Sequence, residues 1–393
     1  MPQRTFPPEL LRQSAATRLA YFKACTIAHP RLQEVDQALR EAISEPAGAL
    51  LVFFYGPTGV GKTTVLQRRR QQITQERHAD MARDPGWMPI VGVEAIAPER
   101  GDFNWGDYYM DALRAFDEPL IPLKINNPEP PTACGSPAQY IPRRTHSRSA
   151  LRVALESAIQ QRRPLAFLID EAQHLAKVAS GRKLQDQLDC LKSLAIRTQT
   201  VHVLAGTYDL LILRHLSGQL SRRTRHIHFA RYRADTVEDV RDFQNVLWNF
   251  QVRMPLAAEP DLLRHWEFCY ERSLGCVGLL KAWLTRALAS GLAQKTPQVT
   301  RRHLEQQALS LADCHKIATE MLEGEAILAE TEGARKRLRT LLALADAPPS
   351  VARPARDASP AATPRRPTTR VGERNPRRDP VGVARRMPEA PTP

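Results

Sequence analysis

The chain has 393 residues, 42% hydrophobic and 25% charged, ordinary globular usage for two domains or for one domain with long appendages. Lys plus Arg number 56 against 42 Asp plus Glu, a net charge of +14, which suits a polyanion such as nucleic acid or makes a solvated basic surface. The six cysteines have no zinc spacing, no apolar run approaches the roughly 18 residues of a membrane span, and the N-terminal text has no apolar segment, so the expectation is a reduced, cytoplasmic protein without secretion or membrane insertion.

In chain order, residues 8–27 and 30–45 read as helices. The second carries Leu32, Val35, Leu39 and Ile43 at spacings of three and four. The run 49–55 is short, continuous and rich in β-formers, as a buried strand of a parallel sheet is. Further strands are expected at 89–94, 165–169, 201–205 and 226–230, with helical patterns between them, which predicts βαβ units and an α/β sheet. Seven prolines between Asp117 and Ser147 mark an irregular insertion. From Thr236 to about Leu344 only amphipathic helices are expected, Val240, Phe243, Val246, Leu247 and Phe250 forming one such face. The text after Ala345 holds eleven prolines, ten Arg, five acids and no Lys, a net +5 that predicts a disordered basic tail. The expected division is therefore 1–48 helical, 49–235 α/β, 236–345 helical and 346–393 tail.

Gly56-Pro57-Thr58-Gly59-Val60-Gly61-Lys62-Thr63 fits GxxxxGK[ST], with a strand before it and a helical segment after it. Its glycines let successive N–H groups face phosphate oxygens, and the helix start adds a favourable partial charge. Lys62 is expected to reach the β- and γ-phosphates of ATP and Thr63 to ligate Mg²⁺. The strand 165–169 runs into Asp170-Glu171 at the carboxyl edge of the sheet. Asp170 is expected to hold Mg²⁺, directly or through water, and Glu171 to polarise the attacking water. Thr207, after the strand ending at Ala205, is either a sensor of the γ-phosphate or a helix cap. Arg222, Arg223 and Arg225 are either fingers reaching a neighbouring subunit's γ-phosphate or a solvated basic helix end.

Five strings together resemble the AAA+ ATPases, and more narrowly the TniB/TnsC transposition-regulator type. They are Phe54 to Thr64, Asp170-Glu171-Ala172-Gln173-His174-Leu175, Leu191 to Ala195, Leu204 to Tyr208 and Leu220 to Arg223. The similarity runs from about Arg18 to Leu292. It implies a P-loop AAA+ sheet with helices on both faces, followed by an all-helical lid, with Thr64 included among the nucleotide-binding residues. It also implies ATP-dependent assembly of a ring or filament on double-stranded DNA, which recruits transposase subunits and answers to a target-selection protein or an RNA-guided complex. Arg222 and Arg223 become the arginine-finger candidates, and Lys281, near the start of the lid helix, a second sensor. A ring around DNA would present two basic loops, one with Arg100 and one with Lys177, Arg182 and Lys183. Phe103, Trp105, Tyr108 and Tyr109 near the first loop read as core rather than as a base-stacking platform. A helicase-loading ATPase of the replication-initiator kind and a nucleotide-gated scaffold with little turnover are the alternatives.

Overall fold

The computed structural model describes residues 5–98, 103–119, 121, 148–176, 182–214, 224–329 and 331–344. The chain divides into two units, Met1–Ala329 and Glu330–Pro393.

In the first unit the elements run as follows. Two helices lead in, α1 (Ala15–Ala24) and α2 (Pro30–Ser44). Then come β1 (Leu51–Tyr55), α3 (Lys62–Glu76), α4 (His78–Arg83), β2 (Ile90–Glu94), α5 (Trp105–Ala115), α6 (Arg148–Arg162) and β3 (Ala166–Asp170). They continue with α7 (Arg182–Thr198), β4 (Val201–Gly206), α8 (Leu211–Arg214) and β5 (Thr224–His228). Helices alone follow: α9 (Val237–Arg253), α10 (Trp266–Ser273), α11 (Val277–Ala293), α12 (Arg301–Gln307) and α13 (Leu311–Leu328). No helix among the described residues is long and apolar enough to cross a membrane.

The five strands form one parallel sheet in the order β2-β3-β4-β1-β5. Side chains alternate between the faces of a strand, and β1 shows the result: Leu51, Phe53 and Tyr55 join one buried cluster while Val52 and Phe54 join the other. Residues of α5, α6 and α7, such as Leu113, Leu155 and Leu194, cover the first face. Leu39 of α2, Leu66 of α3 and Met321 of α13 cover the second. Covering both faces explains why the strands read as continuous apolar runs. A separate cluster, built on Phe243, Phe250, Leu284 and Trp283, makes the core of the helical region. Each such fully buried side chain contributes about 1.5–3 kcal/mol relative to exposure.

Local chemistry sets the boundaries. The region read as one helix over 8–27 is a 3-10 turn, Pro8–Arg12, followed by α1, because the Ser14 hydroxyl accepts the Thr17 N–H and starts a new helix. Pro30 at the first position and the His29 ring, which accepts the Leu32 N–H, start α2. β5 begins two residues earlier than the apolar text suggests. It is an edge strand, so exposed His226 and His228 alternate with buried Ile227. Phe103, Tyr108 and Tyr109 are buried and Trp105 packs against them, which makes that aromatic group core.

α13 returns from the helical region to the carboxyl edge of the sheet. Gly324 lies flat against the Tyr208 ring, where a Cβ would overlap it. Glu325 accepts two hydrogen bonds from Arg231, at 2.8 and 3.2 Å. In the second unit, α14 (Glu332–Leu341) is capped by Thr331 and leaves Leu338, Leu341 and Leu342 exposed.

Candidate nucleotide site

The strand order decides what meets at the carboxyl edge. β4 lies between β1 and β3, so its exit at Gly206-Thr207 falls between the loop after β1 and Asp170-Glu171 after β3. Tyr55 stands in register with Gly206, and Gly56 N–H donates to Gly206 O at 3.3 Å. Gly56 to Thr64, Asp170, Glu171 and Thr207 are thereby brought together.

The loop from Gly56 to Gly61 depends on its glycines. Gly59 has φ +74° and Gly61 φ +119°, left-handed conformations that suit glycine. Gly56 passes so close to Phe229 O that a Cβ would overlap it. Pro57 and Val60 are buried, whereas Thr58, Thr63 and Thr64 are exposed, which leaves the hydroxyls at the start of α3 open. Lys62 is buried, and its ammonium donates to Gly56 O and Pro57 O, both at 2.9 Å. Burial pulls this amine down to about 8, against the opposing pull of Glu171, Cys276 and Asp170. A buried cation at the N-terminus of a helix makes an anion cradle, and Asp170 and Glu171 lie close enough to act on that cation's charge.

At the β3 exit, Glu171 takes a left-handed φ of +51° and its N–H donates to Asp170 Oδ1 at 2.9 Å. Gln173, only 6% exposed, donates through Nε2 to Glu171 Oε2, while its Oε1 accepts the Thr207 N–H at 3.2 Å. The Thr207 hydroxyl is buried and has no hydrogen-bond partner among the described residues. A cavity of about 430 Å³ borders this group, lined by Gln173, Tyr208, Ile212, Glu323 and Ile327 among others.

The helical region closes on the loop through backbone. Leu279 N–H, in the first turn of α11, donates to Gly59 O at 2.9 Å, and Gly278 packs on the same carbonyl. Lys281 is on that helix, but its ammonium donates to Lys23 O at 2.8 Å. Arg225 falls within β5 and pairs with Glu41 at 3.0 Å. Arg100, Lys177, Arg222 and Arg223 lie outside the described residues, as do the side chains of Arg182 and Lys183, which open α7. The tail 346–393 and most of the proline-rich stretch also lie outside them. Sequence reasoning assigned no role to Gln173, Gly278 or Leu279. The signal for Gln173 was its amide two residues beyond Glu171, inside a string already singled out.

Residues 45–213 match the family model described as an AAA domain. No curated protein matches the chain. Among solved structures, the Walker-type ATPase PABY2304 of Pyrococcus abyssi is similar at 16% identity, covering 79% of this chain and 76% of that one, with a TM-score of 0.42. The Aeropyrum pernix ORC1 protein in complex with DNA is similar at 14% identity, 75% and 68% coverage and a TM-score of 0.49. The Aeropyrum pernix ORC2 protein is similar at 13% identity, 74% and 72% coverage and a TM-score of 0.46. The AAA-domain match over residues 45–213 falls on the parallel sheet with the glycine loop at its edge, an α/β P-loop domain with a helical region after it.

Proposed function

We propose that this chain is an ATP-hydrolysing regulator of DNA transposition, which assembles with ATP on double-stranded target DNA and recruits or activates transposase subunits. The observation that carries the nucleotide half is the convergence of the Gly56–Thr64 loop, Asp170-Glu171 and Thr207 at one edge of the sheet. In this reading Lys62 and the loop N–H groups hold the β- and γ-phosphates. Thr63 and Asp170 offer hard oxygen donors, which fit Mg²⁺ completed by phosphate and water. Bound there, Mg²⁺ neutralises charge developing on the phosphates. Glu171 takes the proton of the water attacking the γ-phosphorus, the bond to the β-phosphate oxygen breaks, and ADP and phosphate leave. Thr207, whose buried hydroxyl has no partner among the described residues, donates to the γ-phosphate or the water.

The transposition half is supported by the five strings that resemble the TniB/TnsC type and by the +14 charge. In that reading residues 49–235 are the ATPase domain, 236–345 the lid and further helices, and 346–393 a basic arm. Arg222 or Arg223 completes the neighbouring subunit's site. Arg100, Lys177, Arg182 and Lys183 take DNA phosphates, and Lys281 leaves the Lys23 carbonyl to act as the second sensor. A target-selection protein or an RNA-guided complex directs the assembly, in the cytoplasm. Electron microscopy of the full chain with a non-hydrolysable ATP analogue tests this: rings or filaments on duplex DNA are expected, and their absence with analogue and DNA present contradicts it.

A further inference from the structure

The Gln173 amide has a geometry that packing alone does not require. Its two ends hold different partners: Nε2 donates to Glu171 Oε2, and Oε1 accepts the Thr207 N–H at 3.2 Å. A flipped amide would set oxygen against carboxylate and NH₂ against N–H, so both bonds together fix its orientation. The side chain is 6% exposed, and Gly206 leaves room for it, since a Cβ there would overlap Gln173 Oε1. β4 therefore exits beside Gln173 with no side chain of its own in the way.

These contacts make a continuous path. The phosphate loop meets β4 through Gly56 N–H on Gly206 O at 3.3 Å, the next residue is Thr207, and Thr207 meets Gln173, which meets Glu171. We propose that Gln173 is a positioning residue: it holds the Glu171 carboxylate in the orientation that polarises water, and it ties that orientation to the β4 exit beside the phosphate loop. The inference rests on the reading of Glu171 as the water-polarising base. A carboxylate on a freely rotating side chain spends most of its time misplaced, and a misplacement of about 1 Å costs on the order of 100-fold in rate. Gln173 touches neither phosphate nor water in this scheme and acts only through Glu171.

Two variants of similar volume test it in the full-length protein. Gln173→Met removes both bonds. Gln173→Glu keeps the volume and the acceptor for Thr207 but sets a carboxylate against Glu171. Both are expected to lower kcat for ATP roughly 10- to 100-fold while the affinity for a fluorescent ATP analogue stays within about threefold. A purely structural role predicts that Gln173→Met loses the same factor with and without the Glu171 carboxylate, because the loss would come from packing alone. Gln173→Glu keeps the test open if Gln173→Met fails to fold. The decisive readout is non-additivity: in a Glu171→Gln background, single-turnover hydrolysis is expected to lose nothing further from Gln173→Met or Gln173→Glu. Wild-type kcat in Gln173→Glu, or the same fold-loss with and without Glu171→Gln, overturns the proposal. Wild-type hydrolysis by Glu171→Gln alone would instead overturn the underlying reading of Glu171.

Discussion

Gly278→Ala tests how the helical region is seated on the phosphate loop. In the structure a Cβ at Gly278 overlaps Gly59 O and stands 3.1 Å from the Gly59 carbonyl carbon and 3.4 Å from Gly61 N. All three are backbone atoms of a loop held at φ +74° and +119°, so the neighbour cannot turn aside as a flexible side chain would. The methyl must push α11 off the loop and stretch the bond from Leu279 N–H to Gly59 O, now 2.9 Å. That bond is worth about 1 kcal/mol net, and overpacking of this kind costs about 1–3 kcal/mol. The closed arrangement therefore loses about 2–4 kcal/mol, and affinity for an ATP analogue that needs it is expected to fall at least about tenfold. Titration of a fluorescent analogue measures this, with thermal melting alongside. Gly48→Ala is the control: nothing lies within 4 Å of its Cβ, but φ is +85°, so it costs backbone strain without touching the loop. Gly278→Ala with wild-type affinity and melting temperature would refute the contact between α11 and the loop.

The lowered basicity of Lys62 has a consequence for nucleotide binding. Its amine stands at about 8 against an ordinary 10.5, and a polyphosphate favours the charged form, so binding at pH 9 is expected to take up a proton and affinity to fall as pH rises above 8. Calorimetry in two buffers of different ionisation enthalpy measures that uptake, which Lys62→Ala should abolish together with tight binding. His29 and His202 are held down to about 4 by burial, from 6.5, so the folded state carries fewer protons than the unfolded chain. Their contribution is complete above pH 6.5 and is lost as pH falls through 4, at most about 3 kcal/mol each, and a urea midpoint that stays flat from pH 7 to 4 would contradict it. The double substitution of Arg222 and Arg223 by Ala is expected to leave nucleotide binding by the monomer intact and to lower hydrolysis and assembly together. Sedimentation with analogue and DNA reads this, and undiminished assembly would remove both from the shared site.

The parallel sheet was legible because strands covered on both faces are written as apolar runs, and 49–55 and 165–169 are such runs. β5 was read two residues late, because an edge strand with exposed His226 and His228 carries a weaker signal than the Phe229 that follows it. Gly56 to Thr63 and Asp170-Glu171 were legible because phosphate chemistry demands those residue types in that order. Contacts between distant segments were not: Leu279 on Gly59, Gly324 on Tyr208 and Arg231 on Glu325 join residues 94 to 220 positions apart, and no local pattern announces them. Lys281 shows the same limit, since its bond to the Lys23 carbonyl depends on where α1 ends in space. Gln173 was in plain text, but its role follows from the position of β4 beside β3, which the sequence order conceals.

The account rests most heavily on Glu171 as the group that polarises water beside the phosphate loop. Steady-state hydrolysis of ATP with Mg²⁺ by the full-length chain, compared with Glu171→Gln under the same conditions, tests it directly. The wild type is expected to turn ATP over, and Glu171→Gln to bind ATP with similar affinity while hydrolysing it at least about 100-fold more slowly. Equal hydrolysis by the two proteins would contradict the account at its centre.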